Sequence, residues 1–152
     1  MFFAPLFLDA AHATVFSDQW DGYAANRQRL LDQLAGPAVR NAVVLSGDIH
    51  SFWVNELRRA RTGSAPPIAT EIVTSALAAA SPPAGRFGDA RANNSHVRFN
   101  DVQRSGYVLL DVRRDRVRGQ LRAVDDRTVS DSPVRSIAEL EIASGDPRVR
   151  LG

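Results

Sequence analysis

The run Val43-Val44-Leu45-Ser46-Gly47-Asp48-Ile49-His50-Ser51-Phe52-Trp53 constrains this chain more than any other stretch. An apolar run without alternation reads as a central strand covered on both faces. In open α/β sheets, ligands collect where such strands end. Asp48 and His50 stand two residues apart, and in an extended backbone that spacing turns both side chains to one side. A carboxylate oxygen and an imidazole nitrogen then converge on one ion or on two adjacent ions. Gly47 removes a Cβ beside them and permits close approach of the backbone to a ligand. The competing reading is an Asp that caps a turn beside a core His.

With 152 residues, 44% of them hydrophobic, the chain suits a single domain with a true core. It has no Cys, so it forms no disulfide and offers no thiolate to a metal. Nineteen basic residues, all Arg, nearly balance seventeen carboxylates for a formal charge of +2, which predicts weak long-range attraction to nucleic acid and no nucleic-acid partner. Arg113, Arg114, Arg116, Arg118 and Arg122 interleave with Asp111, Asp115, Asp125 and Asp126 and lack stacking aromatics. They read as the solvated face of a hairpin. Met1 to Leu8 is apolar but has no positive residues of a signal peptide, and Pro5 and Asp9 break it well short of a membrane span. It reads as an internal strand, with no membrane partner.

The spacing of Tyr23, Arg27, Leu30, Leu31 and Leu34 predicts a helix from about Tyr23 to Leu34, with Asp18 and Asp21 at its positive end and Gly36-Pro37 stopping it. Strand, helix, strand is the order of the first third, which indicates α/β layering. Phe52 to Leu57 and Ile68 to Thr74 read as strands. Ala76 to Asn94, rich in Ala, Pro, Gly and Ser, reads as a long loop near the site. Tyr107 to Val112 and Val117 to Val124 form a hairpin, and Ala138 to Ile142 is the last expected strand. The fold class expected is α/β, one main helix followed mostly by strands.

His96 lies just after the long loop and is a second candidate, as a group that orients a phosphate or as a ligand; the alternative is a His hydrogen-bonded where a loop joins a strand. Trp20 and Trp53 line a pocket or fill the core, the core being the commoner fate of a Trp beside apolar positions.

Four blocks, in this order, resemble the alkaline phosphatase D (PhoD-like) family of metallophosphoesterases. They are Asp18-Gln19-Trp20-Asp21-Gly22-Tyr23 with Arg27 and Leu30-Leu31; Val44 to Trp53; Ala69-Thr70-Glu71-Ile72-Val73-Thr74-Ser75; and Asn94-Ser95-His96-Val97-Arg98-Phe99 followed by Gly106-Tyr107. The resemblance implies a calcineurin-like sandwich, a phosphoester substrate, iron and calcium as cofactors, and metal-ligand roles for Asp48 and His50. It also implies a periplasmic or secreted parent. The family's Arg-Gly-Tyr is Ser105-Gly106-Tyr107 here, with Arg104 displaced by one position.

Family members supply further ligands, several Asp, an Asn, a Tyr and a Cys, from an N-terminal half that has no counterpart here. Residues 1–152 are therefore expected to be the C-terminal portion of a PhoD-like metallophosphatase domain. Three outcomes follow: an enzyme completed by a missing N-terminal half, one assembled from two chains, or a catalytically inactive remnant or binding module. A half domain exposes sheet edges, so self-association is expected.

Overall fold

The structure, a computed structural model, describes residues 18–60, 65–82 and 90–152. The expected strand within Met1 to Leu8 lies outside these residues. A 3₁₀ turn, Trp20–Tyr23, leads into helix α1, Ala24–Leu34. The strands that follow are β1 (Val43–Ser46), β2 (Phe52–Leu57) and β3 (Ala69–Val73). A four-residue helix α2 (Ala90–Asn93) precedes β4 (Val97–Asp101), and β5 (Gly106–Val112), β6 (Arg116–Val124), β7 (Val134–Ala143) and β8 (Val149–Leu151) complete the chain. The result is mostly β with one helix of any length.

The strands form two four-stranded sheets, ordered β1-β3-β2-β4 and β5-β6-β7-β8. In the first, β1 runs parallel to β3, while β2 is antiparallel to both of its neighbours. The second is an antiparallel meander. Every residue of β2 and β3 is buried, because one face meets α1 and the other meets the second sheet. Leu31 of α1 packs with Trp53, Leu57, Ala69, Val73 and Val97 on the first face. On the second face Phe52, Val54 and Ile72 meet Leu121, Ala123, Leu140, Ile142 and Val149. Helix, sheet and sheet are thus stacked around two cores that share the middle layer.

The expected β2, β3 and β5–β6 hairpin are all present. In β6, Gly119, Leu121 and Ala123 are buried while Arg118 faces solvent, which is the alternation of a half-covered strand. On the outer face the arginines meet carboxylates: Arg113 with Asp111, Arg116 with Asp115, and Arg118 with Glu141 at 2.8 Å across to β7. The last expected strand extends to ten residues and is followed by β8, whose three residues are too few to carry a period. Trp53 is fully buried, as the core reading requires, and Trp20 packs on the same core.

Strand β1 differs from expectation. Among the described residues it is not a central strand covered on both faces. Among the described residues it pairs on one side only, with β3, and Leu45, level with buried Ile72, is 63% exposed. Continuous apolar sequence states that both faces avoid water but does not state which neighbours cover them. Among the described strands the central positions fall to β2 and β3.

Gly106 opens β5 where two backbones nearly touch. A Cβ built there would lie 2.8 Å from Ala123 Cα and closer still to the Arg122 carbonyl oxygen, both on the paired strand β6. Gly106→Ala is therefore expected to lower the free energy of unfolding by about 1–3 kcal/mol through overpacking. Urea denaturation reads this directly, and an unchanged midpoint would show that the strands separate at no cost.

Candidate functional site

Because β1 and β3 are parallel, both strands deliver their C-terminal ends to the same side of the sheet. Ser46 aligns with Val73, and the amide of Thr74 donates to the Ser46 carbonyl oxygen at 3.0 Å. The two following segments, 47–51 and 74–82, therefore emerge side by side. This is the position at which open α/β sheets collect ligands.

A buried polar group holds the end of β1. Glu71, on β3 and fully buried, accepts a hydrogen bond from Ser46 Oγ at 2.5 Å and another from Asn55 Nδ2 at 3.0 Å. The third sequence block is in this way a support beneath the second: its carboxylate is satisfied inside the sheet and not offered to solvent. Arg27, on the inner face of α1, is likewise buried.

Past Ser46 the backbone departs from what the two-residue spacing suggested. Asp48 and His50 have φ of +78° and +55°, so both stand in the left-handed region, and the segment is a bend and not an extended strand. The alternation argument for their convergence does not hold. Left-handed backbone at a non-glycine residue costs about 1–2 kcal/mol, and such strain concentrates at ligand-binding sites. A Cβ at Gly47 would meet Thr74 Cγ2 at an ordinary 3.5 Å, so packing against the protein itself does not demand glycine there.

Both side chains are exposed, and among the described residues Asp48 is held by Gln19 and His50 by Ala80. His50 Nδ1 lies 3.2 Å from the Ala80 carbonyl oxygen. A carbonyl only accepts, so Nδ1 carries the proton, and the lone pair of the neutral ring resides on Nε2. This arrangement is characteristic of an imidazole ready to bind a cation. Asp48 Oδ2 accepts from Gln19 Nε2 at 3.1 Å. Sequence reasoning missed both partners, since Gln19 lies 29 residues and Ala80 30 residues from the group it holds.

The long loop does reach the site, as expected, through Ala80. It is anchored by Ser75 Oγ donating to the Arg104 carbonyl at 2.9 Å and by the Gly106 amide donating to the Ala76 carbonyl at 3.0 Å. Beside it opens a cleft of about 440 Å³ whose lining includes Ala80, Ser81, Gln103, Arg104, Asp125 and Arg127. The displaced Arg104 is thus a cleft residue, tied to Asp101 at 2.7 Å.

His96 is not brought to this place. It is buried just before β4, and its carbonyl accepts from the Glu56 amide near the far end of β2. Phe52 is at the site end of that strand, so about 13 Å of sheet separates the two at the usual rise per residue.

As for metals, the donor set is one carboxylate and one oriented imidazole, which fits part of a mixed oxygen and nitrogen coordination sphere. Among the described residues no group of three or more His, Cys, Asp or Glu is placed to hold an ion.

The architecture has a close counterpart among solved structures. One described as "Structure of PhoD" superposes with a TM-score of 0.86 at 24% identity, covering 99% of this chain and 30% of the other. Residues 2–121 match the family model for PhoD-like phosphatase, and the chain belongs to that family. A curated relative, alkaline phosphatase D of Bacillus subtilis (strain 168), is 30% identical over 122 residues, which are 74% of this chain and 20% of the relative. The chain thus spans about a fifth of that relative's length.

The strain at His50 is separable from its side chain. His50→Gly and His50→Ala both remove the imidazole, but only glycine relieves the left-handed backbone. The glycine variant is expected to be about 1 kcal/mol more stable than the alanine variant in chemical denaturation. Equal stabilities would show that no strain is held there.

Proposed function

We propose that the chain contributes to the metal centre of a phosphoester hydrolase, with Asp48 and His50 as ligands and a phosphomonoester or phosphodiester as substrate. The observation that carries this reading is the pair of left-handed residues at the end of a parallel strand. Both lie in the stretch matched by the PhoD-like family, and one of them presents an oriented Nε2. The share of its relatives that the chain spans supports reading residues 1–152 as one portion of a larger unit with a calcineurin-like sandwich. Iron and calcium are the ions implied by resemblance, and a carboxylate with an imidazole suits that pair: oxygen for the hard cation, nitrogen for the transition metal. A periplasmic or secreted location for the parent follows from the same resemblance. Among the described residues no helix is long and apolar enough to cross a membrane.

What ions held there supply is Lewis acidity toward a phosphoryl oxygen and a lowered pKa for an attacking water. The chain's own part is geometric. Ala80 sets the His50 tautomer, Glu71 fixes the end of β1 through Ser46, and the left-handed turns aim the two donors. Two protein donors leave most of a coordination sphere to water or to groups outside the described residues, so the 152-residue protein is expected to bind ions weakly.

Equilibrium dialysis against iron or calcium, followed by elemental analysis, tests the assignment. Asp48→Ala and His50→Ala are each expected to lower the bound metal at least about tenfold without unfolding the protein. If both variants retain wild-type metal content, the chain is a scaffold or binding module and not part of a metal centre.

A further inference from the structure

We propose that Gln19 is a positioning residue for Asp48, holding its Oδ2 so that Oδ1 is the oxygen turned toward a cation; this rests on the reading of Asp48 as a ligand. The side chain reaches Asp48 from the residue just before the 3₁₀ turn. That position is the N-cap of the turn, and Gln19 makes no side-chain cap hydrogen bond there; its carbonyl accepts from the Gly22 amide instead. Glutamine is in any case not among the residues favoured at an N-cap. The amide instead reaches the Asp48 carboxylate, 3.1 Å away.

The chemistry of the pair is specific. Asp48 is exposed, and its left-handed backbone fixes where the Cα–Cβ bond points but not how the carboxylate rotates. A free carboxylate pays rotamer entropy to meet an ion. One donor on Oδ2 removes that freedom in advance. The donor is also neutral. An Arg or Lys in its place would orient the carboxylate equally well but would place a positive charge beside the incoming cation, and at close range that repulsion opposes binding. A neutral amide orients without competing. Its own position is steady because the adjacent Trp20 packs on the core beneath α1.

The test uses Mn²⁺ alone as the probe, with free ion followed by electron paramagnetic resonance and the Gln19 side-chain amide followed by NMR. Gln19→Met keeps the length of the side chain and removes the donor. It is expected to raise the Mn²⁺ Kd about tenfold, as loss of a ligand's hydrogen-bonding partner commonly does, with an unchanged melting temperature. In the wild-type protein Mn²⁺ should broaden the Gln19 amide signals, and Asp48→Ala should shift them in the metal-free state. An unchanged Kd in Gln19→Met overturns the proposal. So does a weaker Kd accompanied by a lower melting temperature and Gln19 signals indifferent to Mn²⁺, since that is a structural role only. If Asp48→Ala leaves the Kd unchanged, it is the ligand assignment of Asp48 that fails.

Discussion

The parallel pairing of β1 with β3 is the constraint from which the site follows. Antiparallel neighbours would send their chain ends to opposite sides of the sheet. Here Ser46 and Val73 end level with each other, and segments 47–51 and 74–82 leave together. His50 can then meet the Ala80 carbonyl, and the long loop becomes a wall of the site instead of a distant excursion. The crossover between these parallel strands passes through β2, which lies on the far side of β3 and is buried at every residue, so the pairing is locked by a strand protected along its whole length.

Beneath that pairing sits a polar choice inside an otherwise apolar layer. Glu71 could be replaced by a hydrophobic residue without loss of packing volume, yet it binds Ser46 and Asn55 from two neighbouring strands. A satisfied buried carboxylate of this kind ties β1, β3 and β2 into one register, because a slip of any strand would strand a charge without partners. The sequence blocks shared with PhoD-like phosphatases therefore divide by task. Asp48 and His50 face outward, while Arg27, Glu71 and Trp53 are buried.

Much of this was legible in the residues, and the reasons for the rest are physical. Strands β2, β3, β5 and β6 follow from short-range patterns, and α1 from its apolar spacing and its stop. The outer position of β1 in the sheet of described residues was hidden because apolar character does not encode neighbours. The left-handed turns at Asp48 and His50 carry no glycine to announce them; strain of this sort is imposed by the surrounding fold and not by local preference. Gln19 and Ala80 were invisible for a simpler reason. Each acts across about thirty residues, one through an amide and the other through a backbone carbonyl that every residue type possesses. His96 shows the opposite limit: a titratable residue in a family-like block, placed by the β2–β4 register at the far end of the sheet.

The two tryptophans of the chain happen to bracket this region. Trp20 follows Gln19 directly, and Trp53 lies three residues beyond His50, its indole N–H donating to Ser51 Oγ at 2.7 Å. One indole is fully buried and the other half-buried. The protein thereby carries its own optical reporter: its ultraviolet emission arises from chromophores attached to the segments that present Asp48 and Gln19, so events there register as colour and intensity without any label.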